Sequence, residues 1–407
     1  MRRSAAALIA AAALVAVPGA AGVSGTLSVL VLPVTWGAEP LTTPELQSVA
    51  AGAATFLRNA SYGQLEVAPT VTPWLHPSGA APLCTDLRAI HDTAASIVAT
   101  IGFDANRFNR RIYLIPYDAA TCHTGGPLAY TVGRDAVVVG LFSPQTLAHE
   151  LGHTFGLGHA LRETCTPTCV VHEYGDPIDA MAIGRGDFNP FEKVLAGWLP
   201  PPPVAQRDGD YVVDEFETRS TLPQALVVRT GRGEYWLDHR EPLGNDATLT
   251  LPVGIEVRVR ERPILGESLI LTPSKLVSDP QDRNGGAVAI GGTFTVPRVF
   301  SVTVLDRVDT HVDVRFRWLD RTAPARAAPQ LPAAAPGGLR LRWRAAVDRG
   351  SGIDHYEVSL DGRPLAQAAG TSEVVTRPRA GAHTLGIVAV DRAGNRGPIA
   401  MRRFVVS

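Results

Sequence analysis

The chain has 407 residues, 45% of them apolar and 19% charged, which at about 150 residues per domain leaves room for two to three domains with real cores. Its formal net charge of −1 lacks the basic footprint of a nucleic-acid binder. Only Lys193 and Lys275 are lysines among the 38 basic residues, a compositional bias that says little about function.

In chain order, the first feature is a targeting pattern. Met1-Arg2-Arg3 gives a positive start, residues 5–17 an apolar run, and Pro18-Gly19-Ala20-Ala21 a small-residue cleavage zone, so that 1–22 reads as a secretory signal peptide. The apolar run falls short of the roughly 20 residues a spanning helix needs, and no later stretch is long and apolar enough, so the expectation is a secreted, extracellular protein without a membrane span. Four cysteines in an exported chain suggest two disulfides, with three connectivities open. Cys165 and Cys169 are close in a proline-containing loop and are expected to pair locally, leaving Cys84 with Cys122. A structural zinc site is the rival, but no Cys-x-x-Cys is present.

Two proline-rich breaks, Pro200-Pro201-Pro202-Pro203 and residues 322–338, divide the remainder. The expected domains are therefore 23–199, 204–320 and 324–407. The first mixes strands and helices. Residues 27–34 (LSVLVLPV) read as a buried strand, 43–58 as a helix with apolar residues at helical spacing, 64–68 as a short strand, and 86–101 as a second helix. Strands follow at 112–115, 129–132 and 136–139, then a helix over 144–155 with Ser143 as N-cap and Pro144 at its first position. The second segment carries short β-branched runs at 225–228, 234–237, 256–259, 269–271, 299–304 and 311–317, separated by Gly, Pro and Asp. That is the pattern of an antiparallel sandwich. The third repeats the style at 339–343, 355–360, 383–390 and 403–406. The expected fold is multidomain: an α/β catalytic domain followed by two all-β sandwich domains.

The run HELGHTFGLGH, residues 149–159, fits H-E-x-x-H-x-x-G-x-x-H at every fixed position. His149 and His153 lie one helical turn apart, so both side chains reach one metal ion. Gly156 permits the chain to turn out of the helix, where a Cβ would oppose it, and to bring His159 back as a third ligand. Three imidazoles with one open position make a catalytic zinc site. Glu150 is no ligand in this arrangement; it is the expected general base. Met181, the only methionine between Met1 and Met401, is the sole candidate for a methionine turn beneath such a metal.

With SYGQLEV at 61–67, EYGDPIDAM at 173–181 and NPFEKVLAGWL at 189–199, the first segment resembles the gametolysin family of metzincin peptidases. The resemblance implies a twisted sheet, two main helices and a cleft between upper and lower subdomains. It also implies a metal triad at His149, His153 and His159, a general base at Glu150 and the Met-turn at Met181. Ile183, two residues after Met181, is not the tyrosine ligand of astacins or serralysins. Between the signal peptide and the first strand there is no visible pro-domain, and Cys84 as a latency switch gives way to its pairing with Cys122.

Other residues carry less. His123 reads as a loop histidine, His172 as a surface one, and Asp176 and Asp179 as partners of turn amides. The third segment resembles fibronectin type III or immunoglobulin-like modules. From Arg321 to Ser407 it has 13 Arg against six Asp plus Glu, which suits a spacer with a basic face or a contact with an anionic cell-wall or matrix polymer. The expected function is a secreted zinc-dependent endopeptidase acting on protein or peptide substrates with one catalytic Zn2+; calcium is not legible in these motifs. The alternative is a non-enzymatic surface- or matrix-binding protein on a peptidase scaffold, which would have been free to lose Glu150 or a ligand. Residues 173–191 are expected to wall the pocket for the residue after the scissile bond.

Overall fold

The computed structural model describes residues 23–406 except 84–85, 99, 101, 103, 118–127, 166–167, 183, 252, 261–267, 272–285 and 337. The signal-peptide expectation for 1–22, Cys84, Cys122, His123 and Ile183 lie outside the described residues. The molecule is mostly β-sheet with few helices.

The first body is a three-layer sandwich. Its elements are β1 (Gly25–Pro33), α1 (Thr43–Ala60), β2 (Leu65–Val71), α2 (Leu87–Val98), β3 (Arg110–Ile115), β4 (Leu128–Val132), β5 (Asp135–Val139) and α3 (Pro144–Thr154). The strands order β2-β1-β3-β5-β4, parallel except for β4 on the edge. A parallel sheet covered on both faces needs apolar residues on both sides of each strand, and β1 supplies them. Leu27, Val29 and Val31 pack with Leu46, Ala50, Phe56 and Leu57 of α1 and Leu147 and Leu151 of α3. Leu30 and Leu32 pack on the other face with Ile90, Ala94 and Val98 of α2. Thr42 and Glu45 form a reciprocal cap on α1. Ser143 accepts the Thr146 amide at the start of α3, with Pro144 following it.

After α3 the chain makes a hairpin, β6 (Ala160–Cys165) and β7 (Cys169–His172), and a short helix, α4 (Pro190–Leu195). The second segment follows with β8 (Gly209–Asp214), β9 (Leu226–Arg229), β10 (Glu234–Asp238), β11 (Gly254–Arg260), β12 (Ser268–Leu271), β13 (Val288–Ala289), β14 (Thr293–Val296), β15 (Phe300–Val308) and β16 (His311–Trp318). Two sheets face each other. One is β14-β15-β16-β8; the other runs β7-β6-β12-β11-β10-β9, with β13 paired to β11. Val213, Leu226, Leu237, Val257, Phe300 and Val314 fill the space between them.

The proline run at 200–203 is therefore no boundary between separate bodies. The β6–β7 hairpin comes from the first segment, yet β6 pairs in parallel with β12 from Ser268↔Ala160 to Leu271↔Glu163. One sheet is thus common to segments that the sequence separates. The third segment, after Asp320, forms two further sheets, with strands Gly338–Arg344, Ile353–Leu360, Gly381–Asp391 and Ala400–Val406 among them. Its core holds Leu341, Trp343, Tyr356, Leu385 and Phe404. It is tied to the second by Ser351, whose amide and hydroxyl donate to Asp320 at 2.7 and 2.9 Å. No helix among the described residues is long and apolar enough to cross a membrane.

Candidate metal centre

Helix α3 presents His149 and His153 one turn apart, their ring centroids 4.7 Å from each other. The helix stops at Gly156, whose φ of 89° belongs to the left-handed region that a Cβ disfavours. The Leu157 amide then closes back on the Gly152 carbonyl at 3.2 Å. That reversal carries His159 to within 4.8 Å of the His153 ring, centroid to centroid. One ring nitrogen from each of the three histidines lies within 4.8 Å of the others.

The other ring nitrogens decide the tautomers. His149 Nδ1 faces the Ala180 carbonyl at 2.8 Å, His153 Nδ1 the Leu157 carbonyl at 2.8 Å, and His159 Nδ1 a Glu173 carboxylate oxygen at 2.9 Å. Carbonyl and carboxylate oxygens only accept, so each Nδ1 carries a proton, which leaves Nε2 as the nitrogen available to a metal. Burial and the neighbouring His153 push His149 down to about 4, and burial holds His153 below its ordinary 6.5. Ring nitrogens that converge in this way, His153 Nε2 to His159 Nε2 at 3.1 Å, suit a metal cation. Histidines fixed through the far nitrogen are the usual arrangement of a metal site.

Glu150 is 4% exposed and does not join that trio of ligand atoms. Burial lifts its carboxyl to about 7, opposed by Thr131, whose hydroxyl donates to it at 3.3 Å. It lines a cavity of about 700 Å³ together with His149, Thr146, Tyr174, Ala182 and Arg185. Tyr174 was not singled out from the sequence. Its φ of 55° is an outlier for a bulky residue, and its ring lies 3.9 Å from that of His159, centroid to centroid. The polar residues just ahead of the Met-turn, Glu173 and Tyr174, were the available signal.

Met181 is fully buried, and a Cβ on Gly152 would come within 2.6 Å of its sulfur. The glycine between the two helical histidines is what lets this side chain lie against the helix. The turn is held by its own carboxylates, as expected of Asp176 and Asp179. Asp176 accepts the amides of Ile178 and Asp179 at 3.1 and 3.2 Å, and Asp179 accepts that of Met181 at 2.7 Å. Ala180, whose carbonyl accepts the hydrogen bond from His149 Nδ1, sits between these anchors.

Both carboxylates also meet buried guanidinium groups from the second segment, which the sequence did not disclose. Arg258 on β11 reaches Asp176 at 2.5 Å, Glu256 at 2.6 Å and Asp238 at 3.3 Å. Arg240 contacts Asp246 at 2.7 Å and Asp179 at 3.5 Å, while Lys193 pairs with Asp187 at 2.7 Å. Burial opposes ionisation of Asp176, but Arg258 and Arg240 hold it below its ordinary value. Burial drives Glu192 and Glu217 well above theirs, and Asp238 to about 8. The second segment is thus bolted to the turn beneath the histidines by a buried ionic cluster.

His172, expected at the surface, meets the Thr164 hydroxyl at 2.8 Å across the β6–β7 hairpin. The hairpin register sets Cys165 opposite Cys169, the placement their local pairing requires, and no cysteine among the described residues is free.

No curated protein matches the chain. Among solved structures, metalloproteinase-II from Bacteroides fragilis is similar at 16% identity over 44% of this chain and 54% of that one, with a TM-score of 0.29. Fibronectin(III)-like modules of Clostridium thermocellum CbhA are similar at 15% identity over 44% of this chain and 87% of theirs, TM-score 0.20. The Clostridium perfringens spore cortex lytic enzyme SleM is similar at 12% identity over 26% of this chain, TM-score 0.20, and the chain spans 38% of its length. At these scores the likenesses carry nothing about activity. The family model of gametolysin peptidase M11 matches residues 54–254, from within α1 to the first residue of β11, and so spans the proline run as the shared sheet does. Over that segment the chain is similar to the gametolysin peptidase M11 family.

Proposed function

We propose that the chain is a secreted, zinc-dependent endopeptidase of metzincin type, with His149, His153 and His159 holding one zinc ion and Glu150 acting as general base. The observation that carries this reading is the set of three imidazoles, each anchored through Nδ1 and each aiming Nε2 at a common point beside a buried carboxylate. A bound zinc would supply Lewis acidity, acidifying a water and polarising the scissile carbonyl.

The chain's own residues do the rest. Glu150 takes a proton from the attacking water as its oxygen bonds to the carbonyl carbon, then gives that proton to the amine as the C–N bond breaks. Thr131 keeps the carboxylate oriented, and burial raises its proton affinity so that it can both accept and release. Glu173 fixes the His159 ring, and Met181 supports the turn whose Ala180 carbonyl fixes His149. The retained Glu150 and complete triad favour this reading over a non-enzymatic binding protein. Two disulfides, Cys165–Cys169 and Cys84–Cys122, complete the proposal for an exported chain, with the third segment as a spacer or polymer-binding module.

Metal analysis tests the site directly. Purified chain should hold about one zinc ion, and His153→Ala should release it. Full zinc occupancy in that variant would remove His153 from the ligand set.

A further inference from the structure

The cavity that holds Glu150 is lined in part by Gly184 and Arg185, which with Gly186 form a strap just past Met181. A Cβ on Gly184 would collide with the Ile178 carbonyl group, and one on Gly186 would stand 2.7 Å from Asp246 and from the Ile178 side chain. The Gly186 amide also donates to the Ile178 carbonyl at 2.7 Å. Both glycines are therefore pressed onto the turn, and the backbone of Arg185 between them is fixed. Its side chain lines the cavity, and its guanidinium has neither a hydrogen-bond nor an ion-pair partner among the described residues. Of the described residues lining this cavity, the exposed Arg185 is the one permanent cation and Glu150 the one acid; the remainder are apolar or neutral, Leu141, Gln145 and Thr146 among them.

Resting on the peptidase reading, we propose that Arg185 is a specificity-determining residue that selects a carboxylate on the leaving-amine side of the scissile bond. Glu150 delivers its proton to the departing amine, so the fragment bearing that amine occupies the cavity Glu150 lines. A guanidinium offers a planar fork that two carboxylate oxygens can match, whereas a lysine or arginine side chain of the substrate would meet a like charge. Two sources carry this chemistry: an Asp or Glu side chain within a chain, or the carboxyl terminus of a short peptide.

The test is peptide affinity for the full-length, zinc-loaded Glu150→Gln chain, read by fluorescence anisotropy. The probes are decapeptide amides with a single Glu or Gln walked along a neutral sequence, plus one peptide made as free acid and as amide. Wild-type digests analysed by mass spectrometry locate the scissile bond. At one position Glu should bind about fivefold to tenfold tighter than Gln, an advantage that fades with salt. Adding Arg185→Gln should bring the ratio to one, and Arg185→Glu should invert it in favour of Lys. A free-acid preference without a Glu preference assigns the terminal carboxyl as the source. A ratio of one throughout, no measurable peptide binding, or a preference that survives Arg185→Gln overturns the proposal. If wild type cleaves nothing while the Arg185-dependent preference persists, the peptidase reading fails and the carboxylate site stands. If wild type cleaves without any such preference, the peptidase reading stands and the carboxylate site fails.

Discussion

Glu173 shows how much of a candidate metal site lies outside its three histidines. Its carboxylate accepts the His159 Nδ1 proton at 2.9 Å, which fixes both the tautomer and the ring plane. Replacing Glu173 by Ala should weaken zinc binding about tenfold to a hundredfold with the fold intact; chelator competition on folded protein measures it, and unchanged affinity would make Glu173 incidental. Gly152 is a second residue-scale case. A methyl group there would meet the Met181 sulfur at 2.6 Å, so Gly152→Ala should overpack the core and cost about 1–3 kcal/mol. Thermal unfolding checks this, and an unshifted Tm would mean that Met181 moves aside freely. The histidine motif, Glu150 and Met181 were legible in the sequence because they are local in spacing. Tyr174 and Glu173 were not, since their placement depends on the left-handed turn at Tyr174.

At the scale of elements, β11 is the instructive strand. Its run GIEVRVR alternates apolar and polar residues, which in isolation reads as a strand with one face in water. In the fold both faces are covered: Val257 packs in the sandwich core, while Glu256 and Arg258 are buried among the carboxylates under the Met-turn. Alternation reports that two faces differ; it does not say that the polar one is wet. Truncating one partner of a buried pair leaves the others uncompensated at about 3–5 kcal/mol, so Arg258→Met should destabilise the chain by that order. Adding Asp176→Asn should restore part of the loss, and a double variant no better than the single would contradict the pairing. The cluster also sets a pH dependence. Asp238 faces Arg258, Glu256 and Arg240, and burial lifts its carboxyl from 3.8 to about 8. Between those values the folded chain holds more protons than the unfolded one. This contribution to stability is present at low pH and is lost as pH rises from about 4 through 8. Asp238→Asn should flatten that decline in denaturant midpoints measured across the range.

For the whole molecule, the β-rich character of the chain and most of its strands were readable, because composition and periodicity are local properties. The sharing of a sheet between the first two segments was not, because the pairing of β6 with β12 joins residues more than a hundred positions apart and leaves no periodic trace. A chain ending at Leu199 should accordingly fail to fold, having lost the partners of β6, Asp176 and Asp179. One ending near Asp320 should keep its metal site. Soluble yield and zinc content of the two truncations check this. The proposed activity turns on Glu150, and its most direct test is digestion of casein by wild type and Glu150→Gln, with zinc measured on the same samples. The expected result is about one zinc in both, cleavage by wild type, and a loss of at least about 10²–10⁴-fold in the variant. Equal cleavage by both, or a variant stripped of zinc, would contradict it.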